Sequence, residues 1–475
     1  MVNADMNKKD NKDTAKKASA SDKRRRITSA QVIPLSFLLV IIVGTLLLLL
    51  PISTESGEQT DFLTALFTST TSVCVTGLVV VDTYIHWSLF GKIVILVLIQ
   101  LGGLGMISVT SIIMLFTHKK FSFGMTVMLH DSFNLNSLSG LMRFLVRVFY
   151  GTLIVEGFGA AMYMPVFIGQ FGVLKGIWYS IFTSVSAFCN AGIDIIGPDS
   201  LIGYNNNVLV MITTMLMIVL GGLGYIVWFD VLSGFRNGIR QGYSPLRIYK
   251  RFSGHTKLVL TLTGLLIFGG AAIIFVTEYS NPLTIGNMPL GEKILNSIFQ
   301  SVTFRTAGFA SVPQQFLRES TCAFGDILMF IGGSPVGTAG GIKTVTFFAV
   351  ILNALSYIRN RNEAVVYGRR FSPDTIRKAA AVMTVSFSVS FVMLLLLMTF
   401  SDVSLTDGLF EVLSATCTVG LTRGLTPGLG IAGRIIIIIS MYLGRIGPIS
   451  MALFFTSKKN DKNKVKHIQG DFIVG

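Results

Sequence analysis

CVTGL (74–78), CNAGI (189–193), RTAGF (305–309) and CTVGL (417–421) are four variants of one pentapeptide. Their glycines, Gly77, Gly192, Gly308 and Gly420, lie 115, 116 and 112 residues apart. Each follows a segment that is apolar yet rich in Ser and Thr: FLTALFTSTTSV (62–73), IWYSIFTSVSAF (177–188), KILNSIFQSVTF (293–304) and GLFEVLSAT (408–416). As helices of about twelve residues these are about 18 Å long, too short for a hydrocarbon core of about 30 Å. They are too apolar for open loops, so each reads as a re-entrant pore helix. A second marker follows each glycine: LGGLG (101–105), LGGLG (220–224), IGGSP (331–335) and LGRIG (443–447). Its first glycine comes 25, 29, 24 and 24 residues after the pentapeptide glycine. Two markers in step four times over make the chain a fourfold tandem repeat, and repeats dictate architecture.

The rest of the chain supplies what such a repeat needs. Of 475 residues, 51% are hydrophobic and 13% charged, against about 25% charged in a soluble domain, which excludes a water-soluble enzyme of this size. Uncharged runs long enough to span a bilayer occur at 33–50, 93–116, 207–229, 258–277 and 379–401. Three further spans carry interior charges or a break: 144–168 with Glu156, 327–358 with Lys343, and 433–456 with Arg434 and Arg445. The fold class is therefore an all-α polytopic membrane protein of eight spans, with four span–pore helix–filter loop–span repeats around a central pore. The expected divisions are a basic tail (1–31), repeats at 32–117, 118–236, 237–371 and 372–457, and a C-terminal tail (458–475).

The formal charge of +15 is explained by placement. Residues 1–31, 119–147, 236–257, 359–378 and 458–466 hold 30 of the 39 Lys and Arg, always between apolar runs. That is the positive-inside pattern, which places these segments and both termini in the cytoplasm and argues against a nucleic-acid partner. The polar, lysine-rich stretch before the first span reads as a disordered cytoplasmic tail, not a cleavable signal peptide.

Non-helical backbone at membrane depth persists only where it is buried in protein or lines a wet cavity. Four such loops around one axis can replace the hydration shell of a cation with carbonyl oxygens, and pore-helix C-termini add partial negative charge. The filter residues are then Val75, Thr76 and Gly77; Asn190, Ala191 and Gly192; Thr306, Ala307 and Gly308; Thr418, Val419 and Gly420. Only glycine is common to all four, as expected where a Cβ is forbidden. Glycine C-caps in ordinary loops are the plainer alternative, but four in register outweigh it.

This combination resembles the Trk/Ktr/HKT superfamily of potassium transporters. GGSPVGTAGGIKT (332–344) is similar to that superfamily's most characteristic motif and GRIGP (444–448) to its counterpart in the last repeat. The similarity runs through about residues 33–456, and size and N-terminal tail are closest to the bacterial Ktr membrane subunit. The resemblance implies potassium uptake across the bacterial plasma membrane, with potassium as substrate, sodium as activator and no organic cofactor on this chain. It also implies a homodimer seated on a cytosolic ring of nucleotide-binding regulatory subunits, and a C-terminal tail near the dimer interface or the gates.

Residues 332–344 carry a gate on the same grounds: Gly332, Gly333, Ser334, Pro335, Gly337, Thr338, Ala339, Gly340, Gly341 and Lys343. Five glycines and a proline destabilise a continuous helix there, and Ser334 and Thr338 are candidates to face the ion path. Walker A chemistry is excluded, because Ile342 stands where that motif needs glycine before Lys343. In the resembling family the arginine at Arg445 lies below the filter and sets a barrier to ions. Lys343 reads equally as a snorkelling residue. Arg305 is expected to brace the filter from behind, with Glu156 as a possible partner in an ion pair. Cys74, Cys189 and Cys417 share one repeat position and read as packing behind the filter, in preference to a metal or redox site. Asp194 and Asp407 are candidates to concentrate cations at the mouth.

Two other functions fit the composition. One is a sodium or mixed sodium/potassium transporter of the same fold, against which Gly77 argues, because sodium-preferring plant relatives tend to carry serine there. The other is a secondary transporter of a small organic solute, which would show inverted repeats, whereas these four share one orientation. No HExxH or GxSxG and no dense carboxylate cluster is present, so an enzyme is not expected.

Overall fold

The computed structural model describes residues 29–105, 141–361 and 363–447. The basic tail up to residue 28, Lys119 and Lys120, Pro448 and the C-terminal tail lie outside the described residues. Each repeat contains the expected parts. The first spans are Ser29–Leu48, Leu141–Phe171, Gly254–Glu278 and Pro373–Phe400. The pore helices are Phe62–Cys74, Val173–Cys189, Leu290–Thr303 and Leu405–Thr416. The second spans begin as Leu89–Leu104, Val208–Leu223, Glu319–Ile331 and Ile431–Ile446.

The pore helices are buried although polar, and their hydroxyls explain why. Thr70, Ser72, Ser180, Ser297 and Thr416 bond the carbonyl four residues back, so these groups enter a dry environment already satisfied. A second set ties pore helix to first span. Ser69 donates to the Ile41 carbonyl (2.7 Å), Ser184 to that of Glu156 (2.6 Å) and Ser301 to that of Ile267 (2.9 Å). Facing these serines are Gly44, Gly159 and Gly270, where an added Cβ would collide with the serine oxygen. Small residues let the two helices approach closely. In the fourth repeat, Ser390 of the span and Thr416 of the pore helix make the link at 3.0 Å. The opposite faces of the first spans carry exposed Leu39, Ile42 and Leu46, Ile154 and Phe158, Leu265 and Phe268, and Phe391 and Leu395, an apolar belt suited to lipid.

Packing between repeats closes a ring. Each pore helix packs on the first span of its own repeat, and each second span packs on the pore helix of the next; Ile431–Ile446 of the fourth returns to Phe62–Cys74 of the first.

The second spans differ from expectation. A break is expected only in the third repeat, yet each of these helices stops at a glycine of positive φ: Gly105 (79°), Gly224 (88°), Gly332 (58°) and Gly447 (85°). In the second repeat, Val208–Leu223 and Tyr225–Arg240 meet there at 101°. The marker glycines also divide into two roles. Gly102, Gly221 and Gly444 lie against the carbonyls of Val73, Phe188 and Thr416 at the ends of their own pore helices. Gly332, aligned with them by sequence, instead ends its helix, and Gly325 takes the packing role against the Phe304 ring. A hairpin with two residues in each strand, Val365–Val366 with Arg369–Arg370, lies between repeats three and four.

Candidate functional site

The filter loops leave the pore helices through a rare backbone conformation. Val75 (φ 54°), Asn190 (60°), Thr306 (65°) and Thr418 (51°) are all left-handed, and two residues later Gly77 (104°), Gly192 (63°), Gly308 (83°) and Gly420 (96°) are positive again. For β-branched Val75, Thr306 and Thr418 this costs about 1–3 kcal/mol each and persists only because the surroundings impose it. Alternating handedness turns successive carbonyls toward one side of the chain.

The imposing groups are pore-helix hydroxyls. Thr71 Oγ1 and Ser414 Oγ accept from the amides of Gly77 and Gly420, both at 3.0 Å. Ser186 Oγ accepts from the Ile193 amide (3.1 Å) and donates to its carbonyl (2.5 Å). Thr303 Oγ1 donates to the Phe309 carbonyl (2.6 Å). Sequence reasoning registered Ser and Thr enrichment but not these members; their spacing from the filter glycines, five or six residues, is the signal that finds them.

The four loops form one ring in chain order. A Cβ on Gly77 would lie 2.5 Å from the Ala191 carbonyl oxygen, one on Gly192 2.6 Å from that of Ala307, and one on Gly308 2.7 Å from that of Val419. One on Gly420 would strike the Thr76 carbonyl and close the circle. The hydroxyls of Thr76, Thr306 and Thr418 are buried and have no protein partner. On the side of the glycines a cavity of about 600 Å³ opens, lined by all four glycines and by Asp82, Asp194 and Asp199. Asp194 is therefore at a mouth. Burial, reinforced by Asp82 and Asp199 and opposed by a hydrogen bond from Ser200, pushes its carboxyl up to about 7. Asp407 does not line this cavity; it pairs with Arg423 (2.6 Å) and accepts from Ser404 (2.7 Å) at the start of the fourth pore helix.

Residues 332–344 run directly against the opposite side of the ring. A Cβ on Gly340 would collide with Thr418 Oγ1, and Thr338 Oγ1 lies 2.9 Å from Asn190 Oδ1 and 3.0 Å from the Phe188 carbonyl. The loop leans on the broken second span of repeat two: Ser334 N donates to the Gly222 carbonyl (2.9 Å), Thr338 N to that of Gly221 (3.1 Å), and Tyr225 N to that of Val336 (3.1 Å). It folds on itself through Gly333 N to the Gly340 carbonyl (3.3 Å) and Thr344 N to the Gly333 carbonyl (2.9 Å). Ser334 is turned inward onto Thr344 (3.2 Å), so only Thr338 of the two expected hydroxyls reaches the filter.

Three cations hold this loop, all through backbone carbonyls. Arg445 donates to the Thr338 carbonyl (2.8 Å) and to the Gly102 carbonyl, joining repeats four, three and one. Lys343 Nζ donates to the Ala339 carbonyl (2.5 Å) rather than snorkelling away. Arg305 donates to the Gly332 carbonyl at 3.4 Å, and the ion pair expected with Glu156 does not form. Glu156 instead accepts from Gln100 Nε2 (3.2 Å), beside the Cys189 thiol. All four cysteines are free and buried, and Cys189 packs against Gly103.

Residues 12–466 match the TrkH family model, described as a cation transport protein. The chain is 36% identical over 441 residues to the potassium/sodium uptake protein NtpJ of Enterococcus hirae, covering 92% of this chain and 95% of that protein. It is 36% identical over 450 residues to the Ktr system potassium uptake protein B of Bacillus subtilis, covering 95% and 97%. Among solved structures, the potassium transporter TrkH of Vibrio parahaemolyticus matches with a TM-score of 0.69 over 91% of this chain and 86% of that one; at 15% identity it bears on the fold alone. Four repeats closed into a ring, and a family match spanning nearly the whole length, agree: the chain belongs to the TrkH family of cation transport proteins and is a membrane transporter, not an enzyme.

Proposed function

We propose that this chain is the ion-translocating pore of a potassium-uptake system in the bacterial plasma membrane. The observation that carries this reading is the ring of four glycines, each preceded by a left-handed residue at a pore-helix C-terminus. A potassium ion gathers in the vestibule beside Asp82, Asp194 and Asp199 and sheds its water into the carbonyl ring. Residues 332–344, held by Arg445, are the gate, and conduction requires them to move from beneath the filter. The vestibule faces outward and both termini inward, in keeping with the placement of Lys and Arg. A relative is named for the Ktr system; from the resemblance to that system we further propose a homodimeric pore, a cytosolic nucleotide-binding regulatory subunit and stimulation by sodium.

The test is rubidium influx into cells lacking their own potassium uptake, comparing the parent with Gly308→Asp at matched membrane abundance. Uptake by the parent, competed by potassium and abolished in the variant, is expected; equal uptake by both refutes the filter. A mixed potassium/sodium cargo is the second reading, favoured by the likeness to a protein named for both ions. Sodium competing with rubidium at equal concentration selects it.

A further inference from the structure

Of the four left-handed filter residues, Val75, Thr306 and Thr418 are β-branched and Asn190 alone carries an amide. Asn190 is buried, and its amide Nδ2 donates to the Thr306 carbonyl of the neighbouring filter loop at 2.9 Å. Because that carbonyl can only accept, the amide orientation follows, and Oδ1 is left facing Thr338 Oγ1 at 2.9 Å, sharing the one proton of that hydroxyl with the Phe188 carbonyl at 3.0 Å. Thr338 is itself fixed on both sides of its peptide, through its amide to the Gly221 carbonyl and through its carbonyl to Arg445. The pocket is shaped around this pair. A Cβ on Gly221 would stand 2.6 Å from Thr338 Oγ1 and 2.8 Å from Asn190 Oδ1.

Resting on the filter-and-gate reading above, we propose that Asn190 is the positioning residue through which the intramembrane loop sets the innermost carbonyl layer of the filter. Thr338 holds Asn190, and Asn190 holds the Thr306 carbonyl. While the loop lies beneath the ring, that carbonyl is engaged by protein. When the loop withdraws, Oδ1 loses its donor, the grip of the amide slackens, and the Thr306 carbonyl is released to coordinate an ion. Coupling of this kind is reciprocal, so a cation bound at this layer favours the withdrawn loop. Sequence supplies the asymmetry, since valine or threonine at this position cannot donate and accept at once across such a span.

The experiment measures rubidium KM and maximal rate for the full chain in cells lacking other potassium uptake, at matched membrane abundance. The variants are Asn190→Leu, Thr338→Val, Thr338→Ser and the double Asn190→Leu/Thr338→Val. Both hydroxyl- or amide-deleting singles are expected to shift KM in one direction by about three- to tenfold, the range set by one ordinary buried hydrogen bond. The double variant moves no further than the larger single, and Thr338→Ser returns KM toward the parent. A merely structural role lowers maximal rate and leaves KM alone. Shifts that multiply in the double variant, or a parental KM in Thr338→Val, overturn the proposal. If Asn190→Leu does not reach the membrane, the Thr338→Val and Thr338→Ser pair decides by the same KM criterion. Gly308→Asp separates the two levels: if it transports like the parent, the filter reading itself fails; if it is silent while the couplings are absent, only this inference does.

Discussion

Replacing Gly77 by alanine tests the ring most directly, because a second glycine isolates the backbone part of the effect. Gly57 and Gly77 both have positive φ, 73° and 104°, but a Cβ on Gly57 meets nothing within 4 Å. Gly57→Ala therefore carries only the left-handed penalty, about 1–2 kcal/mol. Gly77→Ala carries that penalty and also a Cβ 2.5 Å from the Ala191 carbonyl oxygen, where ordinary contact begins at 3.4 Å. The neighbouring carbonyl must retreat by about 0.9 Å, the difference between those distances. Overpacking of this kind costs about 1–3 kcal/mol, and here it falls on an oxygen proposed to coordinate the ion. At about 1.4 kcal/mol per tenfold change, rubidium uptake should drop by about five- to a hundredfold, with weakened discrimination against sodium. Thermal unfolding in detergent should register a loss for both variants, whereas uptake per molecule should fall only for Gly77→Ala. Parental rate, KM and selectivity in Gly77→Ala would refute the packed ring.

Two further outcomes follow from the same geometry. Asp194 has its carboxyl raised to about 7 by burial in the vestibule, so it is ionised above that pH and neutral below it. Apparent affinity for external rubidium should therefore fall as pH drops from about 8 to about 6, and Asp194→Asn should flatten that dependence at the low-affinity level. Arg445→Gln removes the guanidinium that joins the Thr338 and Gly102 carbonyls. Loosening the loop by one or two charge-assisted hydrogen bonds, about 1.5–3 kcal/mol each, should raise resting rubidium flux about tenfold or more, while an unchanged or lower flux at equal abundance would deny Arg445 a role in holding the gate shut.

Much of this architecture is legible in the sequence because it is periodic. The pore helix expected at 62–73 runs Phe62–Cys74, and that expected at 408–416 ends at Thr416 as read. The glycine spacings locate the loops that form the ring. The Gly44, Gly159 and Gly270 contacts with pore-helix serines were equally open to reading, since the first two stand at the same distance before their filter glycines. What escaped were partners. Arg305, Lys343 and Arg445 invite a search for carboxylates, yet each donates to a backbone carbonyl, a group that every residue carries and that therefore leaves no mark in composition. Asp407 looked like a mouth residue by its place near a filter, but Arg423 lies close enough to take it.

Sequence alone determined the repeat, its membrane class and the positions of the four glycine loops, because helix length against bilayer thickness and the need for glycine are local constraints. Tertiary structure alone decided the circular order of the repeats, the stop of each second-span helix at a glycine of positive φ and the contact of Thr338 with Asn190 across 148 positions of chain. Those depend on which surfaces meet when the fourth repeat closes on the first, a condition on the whole ring that no single repeat contains.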